Sequence, residues 1–306
     1  MPVGPRTLIE FQEMFPDEAA CWAYLRAMRW PEGFVCPACG HGESSRLAAR
    51  RLEQCCGCRR QTSITAGTVL HGTRVALRIW FLAFFFLGRH KKGISALQFQ
   101  RDTGLGSYQT AWTLLHKVRA ALAQSDERLL VGHVEVDETY VGSPEKGLRG
   151  GRQYGRKAIV TAAIENRGRS AGAVRLGRVN ALTGDQLGGF VQSTVDPAQA
   201  DILTDGWQGY GGLSRRGFRH RKETQGPGER AAELLPWAHT IFSNLKTWLR
   251  GTHHGVSKKH LGRYLREFEY RFNRRGIENS LFGNVLQAAL AAPPAPYATI
   301  TAERIG

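Results

Sequence analysis

The stretch VEVDETYVG, residues 134–142, decides how the rest of this sequence is interpreted. Apolar and polar residues alternate along it, which is typical of a β-strand with one buried face. Three of its side chains are the carboxylates Glu135, Asp137 and Glu138. Because successive side chains of a strand point to opposite faces, Glu135 and Asp137 share one face and Glu138 lies on the other. We therefore interpret Asp137 as a candidate site residue, Glu135 as an auxiliary group beside it and Glu138 as structural.

A second acid, Asp205, stands at the end of a later apolar strand, in ADILTDGWQGY at 200–210. Two further strands, a helix, one more strand and another helix are predicted around it. This order is that of an α/β, ribonuclease-H-like domain, in which a mixed five-stranded sheet is flanked by helices. In that fold the middle of the first strand and the end of the fourth lie side by side, so Asp137 and Asp205 are expected to converge. The patterns of the other elements are GRKAIVTAAIEN (155–166), SAGAVRLGRVN (170–180), TGDQLGGFVQSTV (183–195), RHRKETQ (219–225) and WAHTIFSNLKTWLRGTHHG (237–255).

Two facing carboxylates repel each other unless cations lie between them. Two Mg²⁺ or Mn²⁺ ions roughly 3.5–4 Å apart satisfy such a pair, and they clamp the attacking and leaving oxygens of a phosphodiester. The pair Asp137 and Asp205 is therefore predicted to bind two catalytic ions.

The charge of the chain indicates a polyanionic partner. Lys and Arg number 42 against 26 Asp and Glu, which gives a formal net charge of +16 and a pI of about 10.1 over 306 residues. Nucleic acid is the partner that such a charge favours, above the ribosome or an anionic membrane. The longest apolar run, IWFLAFFFLG at 79–88, is half of the ~20 residues that span a bilayer. The N-terminus lacks a signal-peptide pattern, so we expect a bacterial cytoplasmic protein, associated with the nucleoid when it is bound to DNA.

Five of the six cysteines lie between residues 36 and 58. Cys36 and Cys39 form one C-x-x-C pair, and Cys55 and Cys58 form a second. Two such pairs complete a tetrahedral four-thiolate site, so a zinc ribbon with one structural Zn²⁺ is predicted. The alternative is a set of unrelated buried thiols or a redox pair.

A helical module is predicted behind the ribbon, at 71–125. Ser95 and Ser107 are suited to cap two helices that Gly104 separates. A short helix, a glycine turn and a longer helix resemble a helix-turn-helix, whose second helix enters the major groove. A plain helical hairpin is the alternative. In the DNA-reading version, the residues expected to face bases are Ser107, Gln109, Thr110 and Thr113, and those expected near phosphate are Lys117 and Arg119.

Three segments together resemble a known family. VEVDETYVG, ILTDGWQGY and HTIFSNLKTWLRGTHHGVSKKHL are similar to segments of bacterial insertion-sequence DDE transposases, in the IS1595-like subgroup with an N-terminal zinc ribbon. The resemblance covers about residues 15–275. It implies two magnesium or manganese ions and cut-and-join chemistry on DNA ends, with Asp137 and Asp205 matching the first two carboxylates of the family.

The third position departs from the general family pattern, in which a Glu follows a His by five residues. His239 is present, but Asn244 stands five residues later. We expect Asn244 to be the third metal ligand, although an amide brings no charge and holds Mg²⁺ more weakly than a carboxylate. The alternatives are that Asn244 caps the helix and that Glu233 or Glu267 supplies the missing charge.

The basic partner of the site is expected to be Lys246 or Arg250, and spacing does not decide between them. A helix capped by Ser257 is predicted at 257–275, with a buried apolar stripe. Residues expected near DNA in this part of the chain are Lys246, Arg250, His253, His254, Lys258 and Lys259.

These inferences predict a DNA transposase that frees a 3′-hydroxyl at insertion-sequence ends and joins it to target DNA, acting as a homodimer or larger on DNA. The alternative is a zinc-ribbon, helix-turn-helix DNA-binding protein with a decayed catalytic domain. A tyrosine recombinase is disfavoured, because Tyr264 of HLGRY belongs to the apolar stripe. The predicted organisation is an N-terminal helical segment at 1–32, the ribbon at 33–70, the helical module at 71–125, a linker around 123–131, the catalytic domain at 126–280 and a loose tail at 281–306.

Overall fold

The chain folds into two compact units. Residues 1–125 together with 276–302 form the first unit, and residues 126–275 form the second. The computed structural model describes residues 4–47, 50–90, 92–123, 128–143, 155, 157–224, 231–277 and 281–302.

The first unit begins with helices and a small sheet. Thr7 and Asp17 each accept a backbone hydrogen bond at the start of a helix, which is why helices begin directly after them. The three strands are antiparallel and lie in the order β1-β2-β3. The elements are α1 Leu8–Met14, α2 Glu18–Arg29, β1 Ser44–Leu47, β2 Leu52–Cys55, β3 Gln61–Ser63, α3 Leu77–Arg89, α4 Ala96–Thr103 and α5 Tyr108–Ala123.

Helix α3 carries the longest apolar run of the sequence and lies in an aromatic core. Its Phe81 and Phe84 are fully buried, and Phe15 packs edge-on against Phe81 with ring centroids 4.9 Å apart. The Glu18 carboxylate accepts the backbone N–H groups of Leu77 and Arg78 and so caps this helix. Within the described part of the chain, no helix combines the length and apolar character needed to cross a membrane.

The second unit is a five-stranded mixed sheet with helices on both faces. The strand order is β6-β5-β4-β7-β8, with β4, β5 and β6 antiparallel and β7 and β8 parallel to β4. The elements are β4 Leu130–Val141, β5 Ala158–Asn166, β6 Ala171–Val179, α6 Gly184–Thr194, β7 Val195–Asp205, β8 Arg219–Glu223, α7 Ala231–Leu234, α8 Pro236–His253 and α9 Leu261–Asn273.

The alternation that the sequence shows in β4 separates two cores. Val134 and Val136 are buried with Leu187 and Val191 of α6 on one face of the sheet. The core on the opposite face is formed by α8 and α9 over β5 and β6. Glu135 and Asp137 point to this second face, where α8 packs against β4. The opposite orientations that the sequence predicts for neighbouring residues of this strand are confirmed.

The expected cap at Ser257 is wrong. Ser257 makes no side-chain capping bond; a 3₁₀ turn, Lys258–His260, follows it, and α9 begins only at Leu261. The apolar stripe of this helix is buried as predicted, with Leu261, Tyr264, Leu265 and Phe268 in the core.

The C-terminal segment is not the loose tail that the sequence suggested. It contains α10, Leu281–Ala291, and α11, Tyr297–Ala302. Phe282, Val285 and Leu286 are buried, and Phe282 stacks on Phe15 with ring centroids 5.6 Å apart. The apolar residues of α10 recur at helical spacing, so this helix completes the core of the first unit. The linker expected around 123–131 falls partly on residues 124–127, outside the described residues, and β4 already begins at Leu130.

Candidate functional site

Asp137 and Asp205 lie side by side on adjacent parallel strands. Val136 of β4 pairs with Thr204 of β7, so the two aspartates occupy the next position of the same register. Asp137 accepts the backbone N–H of Glu138 at 2.8 Å, and Asp205 accepts that of Trp207 at 3.0 Å. These bonds fix both carboxylates where the end of β7 lies beside the middle of β4, on the face that α8 covers.

The surroundings of Asp137 disfavour the charged form of its carboxylate. Its side chain is only 14% exposed. Burial raises the pKa of Asp137 to about 7, and the charges of Glu138, Asp205 and Glu135 act in the same direction. Desolvation and like charge both disfavour the ionised form, so a divalent cation at this point would relieve both penalties. Two clustered carboxylates are a donor set that fits a hard cation such as Mg²⁺ or Mn²⁺.

Helix α8 brings an imidazole and an ammonium group to the same place. His239 Nε2 lies 4.0 Å from Asp137 Oδ2. Lys246 Nζ donates a 2.6 Å hydrogen bond to Thr139 Oγ1 on β4. Burial and the charge of Lys157 lower the pKa of Lys246, whereas the Asp137 charge raises it. Of the two basic partners that the sequence left open, Lys246 is the one that contacts the strand carrying Asp137.

Glu135 forms its hydrogen bonds with the start of α8 and with Asn166. Its side chain is 1% exposed and accepts the backbone N–H groups of Trp237 and Ala238 at 3.0 and 2.9 Å. Asn166 Nδ2 donates a third hydrogen bond at 2.8 Å. Burial raises the pKa of Glu135, and these three bonds lower it. Glu135 is therefore a positioning residue, because it fixes the first turn of α8 on β4.

Glu138 faces the other core, as the strand alternation predicts. Tyr210 Oη donates a 2.8 Å hydrogen bond to Glu138 Oε2. Burial raises the pKa of Tyr210 well above its usual value, and the neighbouring Glu138 charge adds to the shift. The pair ties β4 to the turn after β7, so the structural interpretation of Glu138 is consistent with its contacts.

Asn244 lies on a different side of α8 from His239. At about 100° per residue, Asn244 lies about 140° around α8 from His239, and its side chain is exposed. The other acids considered for the third position are also placed elsewhere. Glu233 is exposed on α7, and Glu267 is fully buried on α9, 3.7 Å from Arg271. Helix α9 packs on β6, two strands away from β4.

The four cysteines of the two C-x-x-C pairs form one cluster. All four sulfur atoms lie within 4.8 Å of one another, and the Cys36–Cys58 and Cys39–Cys55 distances are both 3.6 Å. Thiolates about 2.3 Å from a tetrahedral zinc ion are separated by about 3.8 Å, which the cluster matches. The backbone N–H of Ala38 is the largest of the contacts that lower the pKa of Cys36 to about 6. The pKa of Cys39 is instead raised to about 12: the backbone N–H of His41 lowers it, but the neighbouring cysteine sulfurs and burial raise it by more. Cys21 is buried, and Cys56 is exposed beside the cluster without belonging to it.

Comparison with known proteins places both regions in one family. Residues 129–273 match the family model of the ISXO2-like transposase domain, and residues 16–61 match that of the transposase zinc-ribbon domain, both of the IS1595 group. The chain therefore carries two domains of the IS1595-like transposases. It is also 28% identical over 304 residues to a Halobacterium salinarum protein described as an uncharacterized protein in transposable element ISH50, an alignment covering 90% of this chain and 98% of that relative. The family predicted from three sequence segments is thereby confirmed.

The residues of this transposase expected to read DNA lie on α5. Ser95 caps α4, and Gly104 ends it with a φ of +67°, so the glycine turn forms where the sequence predicted it. Ala111, Leu114, Leu115 and Val118 are buried on the inner side of α5. On the outer side, Gln109 is exposed and donates a 2.6 Å hydrogen bond to Tyr297 Oη of α11. Thr110, Thr113 and Lys117 are half-buried, and burial lowers the pKa of Lys117. Arg119 is buried within the unit, so its expected position near phosphate is wrong.

The basic residues after Lys246 are divided between surface and core. Arg250, His254, Lys258 and Lys259 are exposed. His253 instead packs between Trp248 and Tyr264, with ring centroids 4.8 and 4.7 Å away. Its ring therefore supports the end of α8, while the exposed residues remain candidates for phosphate contact.

The sequence analysis did not place His239 of α8 beside Asp137. The signal was available, because the buried positions of α8, namely Ala238, Ile241, Phe242, Leu245, Trp248 and Leu249, define which side faces the sheet. His239 and Lys246 lie about 20° apart at one edge of that side, whereas Asn244 lies beyond its other edge.

Proposed function

We propose that this transposase cuts DNA at the ends of its insertion sequence and joins the freed ends to target DNA. The observation that carries the proposal is the pairing of Asp137 and Asp205 on adjacent strands, in a domain that matches a transposase family. The proposal extends to the fold. Strand order β6-β5-β4-β7-β8, with an antiparallel meander of three strands followed by two parallel ones, supports the assignment of a ribonuclease-H-like domain.

Asp137 and Asp205 are the residues that would hold divalent cations. Two such ions would lower the pKa of an attacking water and neutralise charge on the transferred phosphodiester. Asp137, with a pKa raised to about 7, would be held ionised by the bound cations. The protein itself would contribute alignment of the DNA strand, and no covalent protein–DNA bond is required.

Lys246 is suited to hold a DNA phosphate next to the carboxylates. Its ammonium group is anchored on Thr139 and is close enough to Asp137 for the two charges to interact. A Lys presents a point charge that a phosphate accepts without a fixed geometry. Arg250, one turn further along α8, would extend the same contact along the strand.

The cysteine cluster would hold one structural Zn²⁺. Four protein thiolates leave no open coordination position, so the ion would fold the ribbon and take no part in the reaction. The thiol distances and the match to a transposase zinc-ribbon domain support this assignment.

DNA is the proposed partner, held by α5 and by the basic residues of the second unit. The net charge of +16 supports strong binding to phosphates. Gln109, Thr110 and Thr113 would contact base edges in the helix-turn-helix arrangement, with Lys117 near phosphate. Two DNA ends must be held together for joining, so we propose a homodimer or larger assembly on DNA, in the bacterial cytoplasm.

A second candidate is a DNA-binding protein whose catalytic domain has decayed. The exposed position of Asn244 and its lack of charge favour this alternative. A cleavage assay separates the two functions: purified protein is incubated with a labelled insertion-sequence end and Mg²⁺ or Mn²⁺, and nicking and binding are measured together. The proposal predicts metal-dependent nicking that Asp137→Asn abolishes while DNA affinity is retained. Binding without nicking in the wild-type protein would favour the decayed domain.

A further inference from the structure

We propose that His239, and not Asn244, is the third ligand of the divalent metal site formed by Asp137 and Asp205. This inference rests on the proposed function, because it concerns the same site. It begins from the distance of 4.0 Å between His239 Nε2 and Asp137 Oδ2. Ligand atoms on one octahedral ion are separated by about 3 Å when adjacent and about 4 Å when opposite, so a bound ion requires only a small adjustment of the two side chains.

The helical phase of α8 supports His239. Residues seven apart differ by only about 20° around a helix, so His239 and Lys246 project from the same edge of α8 towards β4. Both ends of this edge have a contact on β4: His239 with Asp137, and Lys246 with Thr139 through a 2.6 Å hydrogen bond. The residue between them on the same edge is Ser243, not Asn244.

The same phase argues against Asn244. Ile241, Leu245 and Trp248 of α8 are buried in the core that α8 and α9 form over β5 and β6. Asn244 lies roughly 100° from the centre of that core-facing side, on the side away from His239. Rotating α8 to bring Asn244 to the aspartates would withdraw these three apolar side chains from the core, at a cost of ~2–5 kcal/mol for each large side chain lost.

The position of His239 is fixed from the backbone. Glu135 binds the N–H groups of Trp237 and Ala238, the two residues directly before His239. Glu135 and Asp137 share a face of β4, so the same strand sets the start of α8 and carries the first carboxylate. The hydrogen bonds of Glu135 to the backbone directly before His239 therefore help to fix the distance between His239 and Asp137.

An imidazole ligand has a chemical consequence that an amide does not. Nitrogen ligands favour the later divalent transition metals over Mg²⁺, whereas an amide oxygen leaves a site of hard oxygen donors. A site with His239 as ligand is thus expected to bind Mn²⁺ and Co²⁺ more tightly than Mg²⁺. Replacing His239 by Glu gives a site of oxygen ligands only, so the difference in affinity between Mn²⁺ and Mg²⁺ should become smaller.

The test is pulsed electron paramagnetic resonance of Mn²⁺ bound to the full-length, zinc-containing protein, which detects a directly coordinated imidazole nitrogen. The wild-type protein and Asn244→Ala should both show the nitrogen modulation. His239→Ala should lose it and bind Mn²⁺ about tenfold more weakly or worse. His239→Glu should lose the modulation but retain the ion. Because this readout does not involve DNA, it is separate from the activity of the loaded enzyme.

Two results would overturn the inference. One is a wild-type protein that binds Mn²⁺ without nitrogen modulation, and the other is a modulation that persists in His239→Ala. If Asp137→Asn abolishes Mn²⁺ binding while His239→Ala leaves it unchanged, only the role of His239 fails. If Mn²⁺ binding is equal in the wild-type protein and in Asp137→Asn, the proposed metal-dependent function fails with it.

Discussion

The cysteine cluster and the carboxylate pair are two candidate metal centres that the chain builds in opposite ways. The four cysteines lie within 23 residues, from Cys36 to Cys58, and each pair comes from one turn. The carboxylates come from two strands that meet only in the finished sheet, and a helix from a third region lies over them. The apolar core beside the cluster is small and consists of Phe34, Cys36 and Cys55 with Trp30. The carboxylate pair lies between two extensive cores. A local centre should depend on its metal to fold, and a non-local one should fold without it.

Loss of the cysteine centre should give the largest effect. Removing zinc, or changing Cys36 to Ser, is expected to unfold the ribbon, because structural zinc sites contribute about 10–16 kcal/mol to the folding of such modules. Circular dichroism and limited proteolysis would follow the ribbon, with zinc content measured in parallel. The exposed Cys56→Ser is the matched control and should leave both unchanged. A ribbon that remains protected from protease without zinc would remove the contrast between the two centres.

Asp137→Asn should stabilise the metal-free second unit while it removes cation binding. The folded-state pKa of Asp137 is raised from 3.8 to about 7, so ionisation costs stability as the pH rises between these values. The gain from Asn is therefore absent near pH 4 and complete above pH 7, where it reaches roughly 2–4 kcal/mol.

Thermal unfolding without added Mg²⁺, at pH 4 and pH 8, measures the effect of this substitution. The isosteric change Asp201→Asn, at an exposed position of β7, is the control. A loss of stability in Asp137→Asn at pH 8 would show that the carboxylate is not under electrostatic strain. The idea that ionised Asp137 destabilises the metal-free fold until a cation binds would then be wrong.

Glu135→Ala should destabilise the second unit by about 2–3 kcal/mol, because it leaves the buried N–H groups at the start of α8 without an acceptor. Glu233→Ala removes an exposed carboxylate from the adjacent helix and should be close to neutral. Denaturant unfolding of the two variants compares them directly. Equal stabilities would mean that Glu135 does not position α8, which would weaken the argument for His239 as well.

The smallest effect concerns the second cysteine turn. Gly40 and Arg59 each stand four residues after the first cysteine of their pair, with φ values of +74° and +61°. Glycine adopts this conformation without strain, so Arg59→Gly should stabilise the zinc-loaded ribbon by ~1 kcal/mol. The reverse exchange at the first turn, Gly40→Arg, should destabilise it by a similar amount. Competition with a zinc chelator measures both, and a decrease in zinc affinity for Arg59→Gly contradicts the prediction.

The contrast between the centres also explains what the sequence could predict. The cysteine spacing defines a local site, and the four residues chosen from it are the four that cluster. Asp137 and Asp205 were identified because strand alternation and the order of elements are both visible in the sequence. The third residue depends on the rotation of α8, which the packing of Ile241, Leu245 and Trp248 decides. Counting residues from His239 by analogy with relatives gives Asn244, whereas the helical phase of α8 supports our proposal of His239. The tail was misjudged for a related reason: the prolines after residue 292 hid an apolar helix, Leu281–Ala291, whose partners lie far back in the chain.

Iron-directed cleavage of the polypeptide tests the central claim, that Asp137 and Asp205 together hold a divalent cation. Fe²⁺ replaces the native ion in the full-length, zinc-containing protein, and ascorbate with peroxide generates radicals that cut the backbone near the bound iron. Cuts near residues 137, 205 and 239 are predicted, suppressed by excess Mg²⁺ and absent in both Asp137→Asn and Asp205→Asn. Cuts at other positions only, or a pattern that neither substitution changes, would contradict the account.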